Sequence, residues 1–286
     1  MMLSTRDRRI KNVLYVLCFA FFIIWSIGPI AWSFVISITP SALTMLSPAP
    51  LWPAEITWEN YAALLPGSAA QEQQFFQTGI INSLRSCVIT LLIGVPICVL
   101  CGYALARIPF RGRKALNVLL RATMVIPVFT VIVPVFKIYT NVGLTDNDFG
   151  LAAVYISAFM PLAIWLLQNH FSSLPVALEE ASALDGCSPL QTLTRIILPI
   201  SYPMIFAVML IMVISTWNQY FIPLILAPSM ATKPIAVVIS EFVTKNSVNY
   251  GLMNAGGLLA ILPPVLIALI FRKFLVSGLS SGAVKG

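Results

Sequence analysis

The sequence predicts an all-α integral membrane protein with six transmembrane helices and a helical elbow between the fourth and the fifth. Of the 286 residues, 59% are hydrophobic and only 9% are charged, which is too few charges for the polar shell of a soluble domain. Several apolar runs reach the roughly 20 residues that a membrane-spanning helix needs. Basic residues also gather in alternate connections, as they do in multi-span proteins.

The six predicted spans cover residues 13–38, 82–106, 116–139, 151–168, 200–226 and 255–271. The first follows a basic stretch, but it is too long for the apolar region of a signal peptide and has no clear cleavage site, so we expect it to be retained. Prolines recur inside the spans, and they indicate either kinks that serve packing or a bundle that bends during function: Pro29, Pro96, Pro127, Pro134, Pro161, Pro203, Pro223, Pro263 and Pro264.

Lysine and arginine determine the predicted orientation. With six spans, one side of the membrane carries most of them, namely Arg6, Arg8, Arg9, Lys11, Arg107, Arg111, Arg113, Lys114, Arg195, Arg272, Lys273 and Lys285. The opposite loops hold only Lys233 and Lys245. Because cytoplasmic loops are enriched in basic residues, we expect a cytoplasmic tail at 1–11, a six-span domain at 12–276 and a cytoplasmic tail at 277–286. The net charge of +7 then indicates anionic lipid rather than nucleic acid as its partner.

A polar island at residues 171–199 interrupts this apolar chain. Ser173 with Pro175 predicts the start of one helix, and Glu179 and Glu180 in its early turns suit the helix dipole. Gly186 predicts its end. Ser188 with Pro189 then predicts a second helix, and Pro199 marks the entry to span five. Small residues at 177, 181, 182 and 183 favour a surface that another protein approaches closely, whereas the alternative is a solvated loop helix.

The island resembles the EAA loop of ABC importer permeases. The resemblance lies in Glu180-Ala181-Ser182, in Gly186, and in Ile196-x-Leu198-Pro199 ten residues later. Ser182 departs from the alanine that the family usually has there. Other segments are similar to the maltose-type carbohydrate branch of these binding-protein-dependent permeases: Asn82-Ser83-Leu84, Tyr103-Ala104-Leu105-Ala106-Arg107, Trp217-Asn218-Gln219-Tyr220-Phe221 and the C-terminal residues 278–286.

The resemblance implies the type I ABC importer permease fold, with the island as a cytoplasmic coupling helix. It also implies four kinds of partner: a second homologous permease, an ATPase dimer, an extracytoplasmic solute-binding protein and a sugar. The chain has no phosphate-binding loop, so we expect no cofactor in it, with ATP and Mg²⁺ bound by the ATPase. The implied ATPase contacts are Glu179, Glu180, Ala181, Ser182, Asp185, Gly186, Ile196, Leu198 and Pro199, with a second contact at Gly282, Ala283, Val284, Lys285 and Gly286.

Polar residues within the spans are candidates for a substrate path. Trp217, Asn218, Gln219 and Tyr220 offer stacking and hydrogen bonds suited to a sugar, although bonding between helices would explain them equally. The family usually has glutamate at the position of Gln219. Arg85 lies one turn into span two, where it either extends towards the outer interface or lines the path for an anionic sugar.

The predicted function is therefore the permease subunit of an ATP-driven importer of a sugar or oligosaccharide, in the bacterial inner (plasma) membrane with both termini cytoplasmic. A permease for glycerol-phosphate or another non-sugar solute is the alternative within the class. A self-contained secondary transporter would need acidic residues inside the spans, and all ten Asp and Glu fall outside them. A single histidine, His170, makes a metal site or a membrane enzyme unexpected.

Overall fold

The computed structural model describes residues 5–44, 51–68, 70–243 and 249–280, so the predicted tail contact at 282–286 lies outside the described residues. The described chain is built from helices joined by turns. In chain order these are α1 (Thr5–Ser37), α2 (Glu59–Leu64), α3 (Gln71–Arg107), α4 (Arg113–Thr123), α5 (Val128–Val142), α6 (Asp148–Ser173), α7 (Ala177–Leu184), α8 (Pro189–Thr192) with a π-turn at Leu193–Ile197, α9 (Leu198–Trp217), α10 (Phe221–Leu226), α11 (Ile235–Ser240) and α12 (Tyr250–Ser280).

Within the described residues, five helices are long and apolar enough to cross a bilayer. A sixth span results if α4 and α5 are counted together, although they are bent by 100° at a short break. The fold class predicted from the sequence is thus confirmed. The predicted span over 116–139 falls on this bent pair. Pro127 removes a backbone donor and restricts the residue before it, so α4 stops at Thr123 and α5 begins at Val128.

Span five also differs from the prediction. The expected helix over 200–226 ends at Trp217, and a short break at 218–220 separates it from α10. Pro223 lies in the first turn of α10, where its missing donor is tolerated. The break places Asn218, Gln219 and Tyr220 between two helices rather than inside one.

The chain divides into two units. The first comprises the described residues within Met1–Phe76 and Ile239–Ala260. Here the buried Asn60 amide donates to the Ser37 carbonyl at 2.9 Å, and the Ser37 hydroxyl lies 2.7 Å from that of Tyr61. These contacts fix α2 on the end of α1, whose apolar side chains are otherwise exposed, Tyr15 and Trp25 each by 72%.

The second unit comprises the described residues within Gln77–Val238 and Ile261–Gly286. Its larger core lies where α3, α6 and α9 meet and includes Val99, Leu167, Phe171 and Val208. Gly102 permits the close approach of α3 to α6, since a Cβ there would lie 2.9 Å from that of Leu167. A smaller core around Tyr155 and Ile222 joins α5, α6 and α10. We call the part of this unit near Asp148, the first residue of α6, the far end, and the part near Ser173, its last residue, the elbow end.

Candidate functional site

The elbow comprises α7, the turn at Gly186, α8 and the π-turn that leads into α9. Helix α7 ends in a glycine-dependent turn: the Cys187 amide donates to the Ser182 carbonyl at 2.9 Å and the Gly186 amide to that of Ala183 at 3.1 Å. Gly186 has φ +77°, which a side chain disfavours. The predicted helix end at Gly186 is confirmed.

The two helix starts differ in how well the sequence predicted them. Ser188 caps α8 as predicted, since its hydroxyl accepts from the Gln191 amide at 3.3 Å while the Gln191 side chain accepts from the Ser188 amide at 2.8 Å. The predicted cap at Ser173 was wrong. Helix α6 continues through Ser173, whose hydroxyl donates back to His170, and α7 begins at Ala177 without a side-chain cap.

One face of α7 points away from the rest of the protein. Ala177, Glu180, Ala181 and Leu184 are all exposed and follow helical spacing, and we call these four residues the outer face. Leu184 is 90% exposed, and Asp185 beside it is exposed as well. Sequence reasoning identified the carboxylates and alanines but missed Leu184, although an apolar residue directly before the Asp-Gly turn was the available signal.

The opposite face of α7 holds the elbow together. Ser182 is buried, contrary to its predicted place on the approachable surface, and its hydroxyl lies 2.7 Å from that of buried Thr192. The Ser182 hydroxyl also donates to the Glu179 carbonyl at 2.8 Å. The family usually has alanine at this position, so the serine adds a hydrogen bond between α7 and α8.

Glu179 lies on this inner side too. Its carboxylate forms an ion pair with Arg107 at 2.8 Å, and the two side chains are only 21% and 12% exposed. The expected ATPase contact of Glu179 is not tested by this arrangement, but its charge already has an internal partner. Glu180 and Asp185, in contrast, present their charges outwards.

The last predicted elbow residues form the junction with α9. Ile196 lies half-buried within the π-turn, Leu198 begins α9 half-buried, and Pro199 is exposed in the first turn of α9. Their neighbour Ile197 is fully buried in the larger core. The junction thus anchors the elbow to the bundle through Ile197, while the predicted contacts flank it.

The candidate path residues gather around the break after α9. Trp217 is 4% exposed, Asn218 is the exposed C-cap of α9, and Gln219 and Tyr220 are half-buried. The Tyr220 ring packs edge-on against Phe221, with centroids 5.3 Å apart. Arg85 pairs with Asp148 at 2.9 Å, with 45% of its side chain exposed. The roles of these residues in substrate passage stay predictions.

Sequence reasoning missed a second polar cluster, at the far end of the second unit. Asp146 accepts hydrogen bonds from the amide and hydroxyl of Ser229 and, at 2.6 Å, from the Thr232 hydroxyl. Asn82 donates to the carbonyls of Met230 and Lys233 at 3.0 and 3.1 Å. We call Asn82 and Asp146 the loop clamp, because together they hold residues 229–233.

Asp146 is adapted to this role. Its φ of 54° is in the left-handed region, which aspartate tolerates better than most residues, and its amide donates to the Leu226 carbonyl at 2.7 Å. Burial disfavours its ionised form, but the hydrogen bonds from Ser229 and Thr232 outweigh burial and lower its pKa. A charged Asp146 therefore stabilises the clamped loop.

Comparison with known proteins relates this architecture to transport systems. The family described as binding-protein-dependent transport system inner membrane component matches residues 94–281. The trehalose/maltose transport system permease protein MalG of Thermococcus litoralis is 29% identical over 98% of this chain and 99% of its own length. The trehalose transport system permease protein SugB of Mycobacterium tuberculosis is 30% identical over 92% of this chain and 93% of its own length.

A solved structure supports the same fold. A chain of a bacterial ABC transporter involved in the import of the acidic polysaccharide alginate aligns with a TM-score of 0.76 and 23% identity, covering 96% of this chain and 99% of that one. The likeness confirms the predicted ABC importer permease fold. Since the family match extends over more than half of its length, the chain belongs to the family of binding-protein-dependent transport system inner membrane components.

Proposed function

We propose that the chain is one of two permease subunits of an ATP-driven importer in a bacterial inner membrane, and that its solute is a sugar or oligosaccharide delivered by a solute-binding protein. The family membership supports the permease role. The curated names of the similar permeases, for trehalose and for trehalose or maltose, support a carbohydrate. The charge distribution supports cytoplasmic termini and a cytoplasmic elbow.

The observation that carries the proposal is the outer face of α7. A leucine that is 90% exposed, flanked by two alanines and two outward carboxylates, suits a cleft on another protein. The alanines let a partner approach closely, Leu184 supplies apolar area, and Glu180 and Asp185 favour basic groups. We assign this face to the ATPase, with residues 282–286 as a second contact.

Substrate passage then follows movement of the elbow. When ATP closes the ATPase dimer, the outer face moves with it and the connected helices turn the path from one side of the membrane to the other. The break at 218–220 supplies backbone and side-chain polar groups at a helix end, which suits a sugar better than an unbroken apolar helix does. ATP chemistry takes place on the ATPase, so this chain acts as a non-catalytic subunit.

Reconstitution tests the function. Proteoliposomes with both permeases and the ATPase, loaded with Mg-ATP and supplied with the binding protein outside, should accumulate labelled trehalose or maltose, and vanadate should abolish uptake. Uptake by this chain alone without ATP would contradict its assignment to an ATP-driven importer and favour a secondary transporter. Preferential uptake of glycerol-phosphate by the full complex would contradict the carbohydrate assignment alone.

Orientation has a separate test. A cysteine introduced as Leu184→Cys, in a chain where Cys187 is replaced by serine, should react with a membrane-impermeant maleimide in inside-out vesicles and be protected in right-side-out cells. Labelling in intact cells would overturn the cytoplasmic assignment of the elbow.

A further inference from the structure

The Arg107 side chain joins three elements at the elbow end. It is the last residue of α3, its guanidinium pairs with Glu179 of α7 at 2.8 Å, and a terminal nitrogen donates to the Leu174 carbonyl at 2.7 Å. Leu174 is the C-cap of α6, so this carbonyl belongs to the group that a helix leaves without an internal partner. One largely shielded cation thus connects the ends of α3 and α6 to the inner face of α7.

The ends of α3 and α6 form a rigid base for this contact. Gly102 brings the two helices together, and Tyr103 packs edge-on against Phe171 with centroids 5.8 Å apart. Gln168 donates to the Leu105 carbonyl at 3.3 Å, and Arg113 donates to that of Ala106 at 2.9 Å. These contacts hold the end of α6 against the end of α3, where Arg107 lies.

Helix α7 is held differently. It follows α6 after a short link that contains Pro175, and it begins without a side-chain cap. Its inner face bonds to α8 through Ser182 and Thr192 and to α3 through Glu179. Besides the covalent link to α6, displacement of the outer face can therefore act on α3 through Glu179 and on α9 through α8.

The ion pair between Arg107 and Glu179 is shielded from water, which suits it to transmit force between α7 and α3. Its side chains are 12% and 21% exposed, whereas those of the Arg85–Asp148 pair are 45% and 21% exposed. Ion pairs excluded from water are screened less, and removal of one partner leaves the other charge buried.

We propose that Arg107 and Glu179 are a positioning pair that carries the displacement of α7 into α3, so that ATP hydrolysis is coupled to opening of the transport path. The inference rests on the proposed function and deepens it. It assigns to Glu179 a role different from that of Glu180 and Asp185: those two meet the partner, and Glu179 passes the movement inwards.

A double-mutant cycle in the reconstituted transporter tests the pair. The variants are Arg107→Gln, Glu179→Gln and both together, with Arg107→Lys as the conservative change and the exposed Arg111→Gln as a matched control in the same connection. The readouts are ATP hydrolysed, labelled trehalose imported and recovery of the assembled complex. Since coupling energies between sites correspond to roughly 5–150-fold, we expect each single glutamine variant to import about tenfold less sugar per ATP.

The pattern across variants distinguishes a positioning pair from an ion pair that only stabilises the fold. We expect all variants to assemble into the complex. The double variant should lose no more sugar imported per ATP than a single variant does. Arg107→Lys should keep most of the wild-type sugar-to-ATP ratio, and Arg111→Gln should match the wild type. Loss of assembled complex with a normal ratio in what remains would overturn the proposal. An unchanged sugar-to-ATP ratio in the single variants would also overturn the proposal. The same holds if the losses of the two single variants multiply in the double variant. A wild-type complex without ATP-dependent uptake would instead contradict the proposed function.

Discussion

The elbow end and the far end of the second unit use polar residues in opposite ways. At the far end, Asn82 and Asp146 turn their side chains inwards and hold a loop in place. At the elbow end, the inner face of α7 is held by internal contacts, while the outer face carries the exposed Leu184 and Glu180, with Asp185 exposed beside them. The comparison indicates that one end stabilises the protein itself and the other is prepared for a partner.

The largest expected effect comes from changing the outer face. Leu184→Asp should weaken binding of the ATPase about thirtyfold, because burial of a leucine contributes roughly 1.5–3 kcal/mol and the new carboxylate would be desolvated. Affinity of the ATPase for detergent-solubilised permease would measure this, with Leu184→Met as the control that keeps apolar area. Equal binding of both variants would show that the outer face is not the contact.

Gly186→Val should act on the shape of the elbow rather than on its surface. A β-branched residue at φ +77° is disfavoured by roughly 1–2 kcal/mol, so α7 would end differently and the outer face would shift. We expect the helices to remain membrane-inserted while uptake falls about tenfold relative to ATP hydrolysis. Normal transport by this variant would exclude the elbow as the coupling element; Gly112→Val, in another connection at positive φ, provides the control.

A milder effect is expected at the far end. Asp146→Asn should lower the unfolding free energy by about 1 kcal/mol, or the melting temperature by about 2–4 °C, since several hydrogen bonds to a charged acceptor become weaker. The pKa of Asp146 is lowered in the folded protein, so its contribution is complete above the ordinary value of 3.8 and is lost as the pH falls towards the folded value. The difference between the wild-type and variant melting temperatures should therefore be constant above pH 3.8 and shrink progressively as the pH falls below it. A constant difference across pH would contradict the charge-based account.

The smallest effect is expected for Arg85→Leu. Exposed ion pairs contribute about 0–1 kcal/mol, and Arg85 is paired with Asp148 rather than isolated. Uptake of both a neutral and an anionic oligosaccharide should stay within about twofold of wild type, as should that of Asp148→Asn. Selective loss of the anionic substrate would instead place Arg85 in the path.

The features that the sequence predicted well depend on neighbours in the chain. Ser188 with Pro189 and Gln191 forms a cap from four consecutive residues, and Gly186 ends a helix through its own backbone. Apolar length located the spans for the same reason. The sequence also revealed the carboxylates of the elbow. It did not reveal which of them point towards the protein and which towards solvent, because this depends on which distant residue lies beside each one.

What could not be predicted depends on contacts across long separations. Arg107 meets Glu179 only because Gly102 brings α3 against α6, and Asp146 meets Thr232 through two loops far apart in sequence. The break before α5 was hidden because apolar composition continues through it, and the break after α9 because apolar segments flank its few polar residues on both sides. Ser173 failed as a cap because it is the last residue of α6, where its hydroxyl donates to the His170 carbonyl instead.

The bend between α4 and α5 has a consequence for the surrounding solvent. At about 1.5 Å per residue, the 15 residues of α5 cover roughly 22 Å, which is less than the hydrocarbon thickness of about 30 Å. Helix α5 alone is therefore too short to cross the hydrocarbon, so a span at this place also needs α4. Between the two helices the amides of Met124, Val125 and Ile126 donate to carbonyls three residues earlier, whereas Pro127 has no amide hydrogen to donate. Where such a bend lies within the hydrocarbon, water or a neighbouring polypeptide can satisfy its free carbonyls, and lipid tails cannot.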